Sequence, residues 1–185
     1  MVPGMTTDPS VLAEQLLSVG LAAGLDAGGV AGAHPFDDVR SELERRRDEG
    51  RHGGMQFTFR NPARSTDPGR ILAGARSLVV GAMRTPAARL AEVGAGRMRI
   101  AAYARHDHYA DLRRSLEAVA VRLRSEGWRA IVVADDNALV DRAAAVRAGI
   151  GWWGRNANVL LPGRGSWFVL GSVVTDAPLP PSVPL

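Results

Sequence analysis

Asp135, Asp136 and Asn137 follow directly on the apolar run RAIVVA, Arg129 to Ala134. Such a run predicts a buried strand, and polar residues just beyond its C-terminal end stand where open α/β sheets hold ligands. A carboxyl group walled in by apolar neighbours has a raised pKa and can donate a proton near neutrality. The same residues also suit a plain turn in which an Asp caps the next helix.

A second chemical block is AGIGWWGRNANVLL, Ala148 to Leu161. Its glycines let backbone approach a flat ligand closely, and Trp152 and Trp153 can stack on a large ring system. Arg155 can pair with a carboxylate, phosphate or amide arm. The alternative is a helix C-cap followed by a hairpin with both indoles in the core. The spacing matches no phosphate-binding loop. In RHGGMQF, Arg51 to Phe57, a Gly pair lies between His52 and Met55, as in a loop close to a ligand or simply a flexible one. In YARHDHY, Tyr103 to Tyr109, two histidines could act as acid, base or ligand, but the pattern better suits a polar helix start capped by Asp107.

These blocks need elements to position them. Asp8-Pro9 reads as an N-cap with Pro at N1, opening a helix to about Ala23 with Val11, Leu12, Leu16, Val19 and Ala23 on one side. Strands are expected at Gly28 to Ala33 and Ser77 to Met83, and a polar helix from Asp37 or Asp38 to Gly50. Residues 51–70 and 85–97 read as loops, and Met98 to Ala104 as a further strand. Leu112, Leu116, Val119, Ala120 and Leu123 form one stripe on a helix over 109–125, which Gly127 stops. Strand 129–134, a short helix from Leu139 to Ala148, and strands at Val159 to Leu161 and Trp167 to Val174 follow, the last two around the turn Pro162-Gly163-Arg164-Gly165. The tail APLPPSVPL reads as a Pro-rich linker to something beyond it. Helices mixed with strands imply an α+β or α/β fold with a central sheet flanked by helices.

The 185 residues suffice for one domain with its own core, and 46% hydrophobic with 23% charged residues is ordinary for a soluble protein. Neither a membrane-length apolar run nor a secretory signal is visible, so the expected location is the cytoplasm. With no cysteine, this chain supplies no disulfide and no thiolate for a metal or iron–sulfur cluster. The histidines, His34, His52, His106 and His108, follow no zinc-binding spacing. A net charge of +4 admits a polyanion such as RNA, although the all-Arg basic set and abundant Ala and Gly point equally to compositional bias.

Taken in order, the motifs resemble the N-terminal domain of the tRNA epoxyqueuosine reductases. The most specific stretch is Ala148 to Asp176, with AGIGWWGRN beside the family's AGLGWIGKN and GSWFVLGSVVTD beside its GSWFFLGE and TD. GRHGGMQF, the Asp67-Pro68 step and GARSLVV, Gly74 to Val80, are similar to further family segments. The resemblance implies a cobalamin-binding, substrate-facing domain over 1–176, with 177–185 leading towards a ferredoxin-like domain that holds two [4Fe–4S] clusters. It implies a fold similar to corrinoid-processing proteins, nitroreductase relatives and reductive dehalogenases. It also implies reduction of the epoxide of epoxyqueuosine in tRNA to queuosine, by a monomer.

The resemblance assigns Asp135 as proton donor to the departing epoxide oxygen, and Asp141 and Arg142 to the substrate. It sets Met55, Phe57, Tyr103, Asp135, Trp153, Gly154, Arg155, Asn156 and Trp167 around the cobalamin. Four positions depart from the family: Asp141 replaces Glu, Arg155 replaces Lys, Ala102 replaces Arg and Ala138 replaces Pro. A non-catalytic corrinoid-binding module and an RNA-binding module without cofactor are the competing expectations.

Overall fold

In the computed structural model the described residues are 7–85, 96, 98–101 and 104–183. The Asp8 carboxylate accepts hydrogen bonds from the Ser10 and Val11 amides, so helix α1 (Pro9–Ala22) starts at the expected cap. It buries Leu12, Ala13, Leu16 and Gly20, whereas Val11 points to solvent. Strand β1 (Ala27–Gly32) leads to helix α2 (Asp37–Asp48), which buries none of its residues and carries Arg45 and Arg46 paired with Glu42. The expected loop 51–70 contains two short helices, α3 (Phe57–Arg60) and α4 (Pro62–Ser65), and a 3₁₀ turn at Pro68–Arg70.

Strand β2 (Ser77–Arg84) is buried from Ser77 to Met83, which explains its unbroken apolar sequence. Where a strand was expected at 98–104, the described residues 98–101 and 104 are in no strand, with Met98 and Ile100 exposed. Their β-branched and apolar content suggested a strand, but they meet no partner strand. Helix α5 (His108–Ser125) buries the predicted stripe of Leu112, Leu116, Val119, Ala120 and Leu123. Each of its larger members contributes roughly 2 kcal/mol by leaving water. Asp107 caps it through the Ala110 amide.

Strand β3 (Ala130–Ala134), helix α6 (Asp141–Arg147), a two-residue hairpin of β4 (Trp152–Trp153) with β5 (Val159–Leu160), and strand β6 (Phe168–Thr175) complete the chain. The sheet runs β1-β2-β6-β3, and each neighbouring pair is antiparallel. The mixed alternation therefore resolves to α+β. One face packs on α1 and α5, through Leu16, Val79, Leu116 and Val173. The other packs on α6 and the β4–β5 side, through Val80, Ala144, Ile150 and Leu161.

The Pro-rich segment is packed against this sheet as far as Ser182. Ala177 and Leu179 are buried, and the Ser77 hydroxyl donates to the Ala177 carbonyl at 2.8 Å. Ser182 bonds through its amide and its hydroxyl to the free edge of β1 at Val30. This covers an edge strand that would otherwise expose unpaired backbone groups. Among the described residues, no helix is long and apolar enough to cross a membrane.

Candidate functional site

Strand β3 ends at Ala134, paired with Gly171 of β6. The next residue, Asp135, has φ 54°, a left-handed conformation that a non-glycine residue rarely holds without a reason. The chain turns there, the Asp136 carboxylate accepts the Ala138 amide at 2.9 Å, and Leu139 drops into the core. Helix α6 then begins at Asp141, and no side chain caps it. This sharp return brings Asp135 and Asp136 back over the first turn of α6.

Between these residues and the β4–β5 hairpin lies a cavity of ≈ 840 Å³. Asp135, Asp136, Asp141 and Arg142 line one part of it, with Phe57, Tyr109, Trp153 and Phe168 among the other lining residues. It sits at the C-terminal end of β3 but the N-terminal end of β6, because the sheet is antiparallel. The rule for open parallel sheets thus found the right strand end by a route that does not strictly apply.

The electrostatics single out Asp141. Its Oδ1 is buried and has no hydrogen-bond partner. Burial first, then the charges of Asp135 and Asp136, push its pKa up to about 8, against the pull of Arg142. The Arg142 guanidinium, on the cavity wall, donates to the Ala157 carbonyl at 3.1 Å, tying α6 to the hairpin. Tyr109, half-buried at the start of α5, has its hydroxyl pKa raised by burial and by the nearby charges of Asp135 and Asp141.

The hairpin is built by close backbone packing. The Gly154 amide donates to the Asn158 carbonyl at 2.8 Å, and the Asn156 side chain accepts the Asn158 amide at 3.2 Å. Gly151 lies so near the Leu160 carbonyl oxygen that a Cβ there would overlap it. Trp152 and Trp153 are about half-exposed, at 46% and 48%, so the indoles are not core residues.

No family model matches the sequence. Among curated proteins, it is 29% identical to an epoxyqueuosine reductase of Bacillus anthracis over 181 residues, 94% of this chain and 47% of that protein. It is 30% identical to the Staphylococcus aureus epoxyqueuosine reductase over 189 residues, 98% of this chain and 49% of that one. The chain is related to the epoxyqueuosine reductases. It spans about half the length of the curated relatives it matches.

Solved structures agree. A crystal structure of an epoxyqueuosine reductase superposes with TM-score 0.84 at 28% identity, covering 95% of this chain and 48% of that one. Another, bound to an epoxyqueuosine-modified tRNA stem loop, gives 0.80 at 25% identity over the same shares. A reductive dehalogenase shares the fold, with TM-score 0.66 at 20% identity, over all of this chain and 24% of that one.

Of the residues that the epoxyqueuosine reductase resemblance assigns, Phe57, Asp135, Asp141, Arg142 and Trp153 come together on the cavity. Met55 is exposed and off its lining, as is Trp167, whose neighbours Ser166 and Phe168 are on the wall. Gly154, Arg155 and Asn156 form the turn of the hairpin beside the cavity, not its lining. Tyr103 lies outside the described residues. Tyr109 was missed as a site residue. It sits three residues before Leu112 and continues the buried stripe of α5 by one turn, which was the available signal.

Proposed function

We propose that this chain is a cobalamin-binding, substrate-facing module of an epoxyqueuosine-reductase-like enzyme, acting on tRNA in the cytoplasm as a monomer. The observation that carries the reading is the convergence of Asp135, Asp141 and Arg142 with Phe57 and Trp153 on one cavity. The relatives support the reductase class, a related structure holds an epoxyqueuosine-modified stem loop, and the fold is shared with a dehalogenase of B12-dependent mechanism. The module takes in 1–176 together with the segment up to Ser182, which packs on the same sheet.

The residues present fit a corrinoid. The cavity is near the upper end of ordinary ligand sites, and the exposed Phe57 and half-exposed Trp153 offer aromatic faces to a flat ring. The hairpin turn with Arg155 and Asn156 can meet polar side arms at the rim. When bound, cobalamin supplies the reducing equivalents, replenished by a ferredoxin-like iron–sulfur domain or protein. Converting an epoxide to an alkene takes two electrons and two protons and releases water. Asp135 holds a carboxyl at the cavity and gives one proton to the departing oxygen. Asp141 and Arg142 orient the substrate, and the apolar wall of Phe168, Val169 and Leu170 limits water.

Titration of the purified chain with cob(II)alamin tests this. Saturable changes in the corrinoid absorption spectrum, weakened at least about tenfold by Trp153→Ala, are expected. An unchanged spectrum overturns the cofactor assignment.

A further inference from the structure

We propose that the acidic wall of the cavity is a subsite for a protonated amine of the ligand, with Asp141, through its unpartnered Oδ1, as the acceptor. The proposal rests on the reading of the cavity as substrate-facing, and adds which substrate group this wall takes.

Three carboxyl groups, on Asp135, Asp136 and Asp141, face one space. Among the described residues, none of the three is in a salt bridge. The nearby guanidiniums donate to backbone instead, Arg142 to the Ala157 carbonyl and Arg113 to the Ala134 carbonyl. Asp136 is partly engaged with its own turn through the Ala138 amide. Asp141 Oδ1 is buried with no partner at all. Buried acceptors are normally satisfied, so one left open on a cavity wall points to a donor that the ligand brings.

The geometry selects the donor. Among the described residues, no group of three His, Cys, Asp or Glu is arranged to hold a metal ion. A planar guanidinium presents a wide fork of donors, which a single buried oxygen matches poorly. An ammonium is a compact charge that can give one N–H to Asp141 Oδ1, while Asp135 and Asp136 favour its charge from the rim.

Binding is then coupled to protons. The groups facing Asp141 are Asp135 and Asp136 on the preceding turn, Arg142 on α6 and Tyr109 on α5. Burial keeps Asp141 protonated at neutral pH, with its pKa at about 8. An arriving ammonium favours the carboxylate, so the ammonium and the neutral acid become an ion pair and one proton leaves to buffer.

The test uses benzylamine and benzyl alcohol, alike in shape and unlike in charge, titrated calorimetrically into the full chain at pH 7. Phosphate and MOPS buffers, which differ in ionisation enthalpy and contain no primary ammonium, count the protons released. The amine is expected to bind at least about tenfold more tightly than the alcohol and to release about one proton, whereas the alcohol releases none. In Asp141→Asn the proton release disappears and the preference shrinks. Equal affinity for amine and alcohol, no amine binding at millimolar concentration, or identical amine heats in both buffers overturns the proposal without needing any variant. Cob(II)alamin binding without amine preference sinks this subsite alone. Amine preference with proton release but no corrinoid binding supports the subsite and removes the cofactor reading.

Discussion

The guanidinium of Arg113 on α5 donates a hydrogen bond of 2.7 Å to the carbonyl oxygen of Ala134, the last residue of β3. At the other end of the strand, Arg124 reaches the Ala130 carbonyl at 2.8 Å. Strand β3 is the outer strand of the sheet on that side, so its free carbonyls need partners. Helix α5 supplies them at both ends. The Arg113 contact matters more for the site, because the very next residue is the strained Asp135. Arg113→Ala is expected to lower stability by about 1–2 kcal/mol, read as a shifted urea midpoint. It should also speed hydrogen exchange at residues 135–137, whereas Arg124→Ala should not. Equal protection of that turn in both variants would sink the idea that Arg113 holds it.

Asp135 itself carries a second prediction. At φ 54° a Cβ is strained, less so for Asp than for Ala, and glycine relieves the strain. Asp135→Gly should therefore match or exceed the parent in thermal stability, by up to about 1 kcal/mol. Asp135→Ala should fall below it by a similar amount. Both lose the carboxyl that the proposed reduction needs, so the glycine variant would be stable and inactive. If Ala and Gly variants unfold at the same temperature, the backbone at this residue is not under strain.

Much of this was legible in the sequence because it depends on local rules. The α5 stripe, the Asp8 and Asp107 caps and the apolar β2 follow from period and capping chemistry alone. Asp135 was legible as the first polar residue after an apolar strand. The exposure of Trp152 and Trp153 was not, since residue type favours burial and only the position of the hairpin relative to the sheet decides otherwise. The antiparallel order of the sheet depends on crossings that no local signal encodes. The special state of Asp141 was also hidden. It comes from burial and from two carboxylates five and six residues earlier, which a tight turn folds back over it.

Gly151 supplies the third prediction. Its Cα sits against the Leu160 carbonyl oxygen and the Val159 side chain, with no room for a methyl group. In Gly151→Ala the β4–β5 pairing must open, at a cost of about 2–4 kcal/mol. Trp153 would leave its place opposite Val159. The variant should show altered near-ultraviolet circular dichroism from its tryptophans and weaker corrinoid binding, while the far-ultraviolet spectrum stays close to the parent's. An unchanged tryptophan signal would mean that the hairpin accommodates the methyl group and that Gly151 is not what sets its geometry.

The last prediction concerns pH. An aspartate ordinarily ionises near 3.8, and in the fold Asp141 does so only at about 8, because burial and its acidic neighbours oppose the charge. Between these values the folded chain holds a proton that the unfolded chain has lost. By linkage, the stability this group contributes is full below the lower value, falls as pH rises, and levels off above the upper one. Asp141→Asn keeps the shape and removes the titration. The parent should therefore lose stability relative to Asp141→Asn as pH is raised from 5 to 8, by about 3–4 kcal/mol in total. Denaturant midpoints at closely spaced pH values measure the difference directly. Asp136→Asn removes one opposing charge and should make the parent's decline shallower without abolishing it. Parallel stability profiles for the parent and Asp141→Asn across this range would show that the carboxyl is already ionised at neutral pH, and would remove the proton whose release on amine binding is expected above.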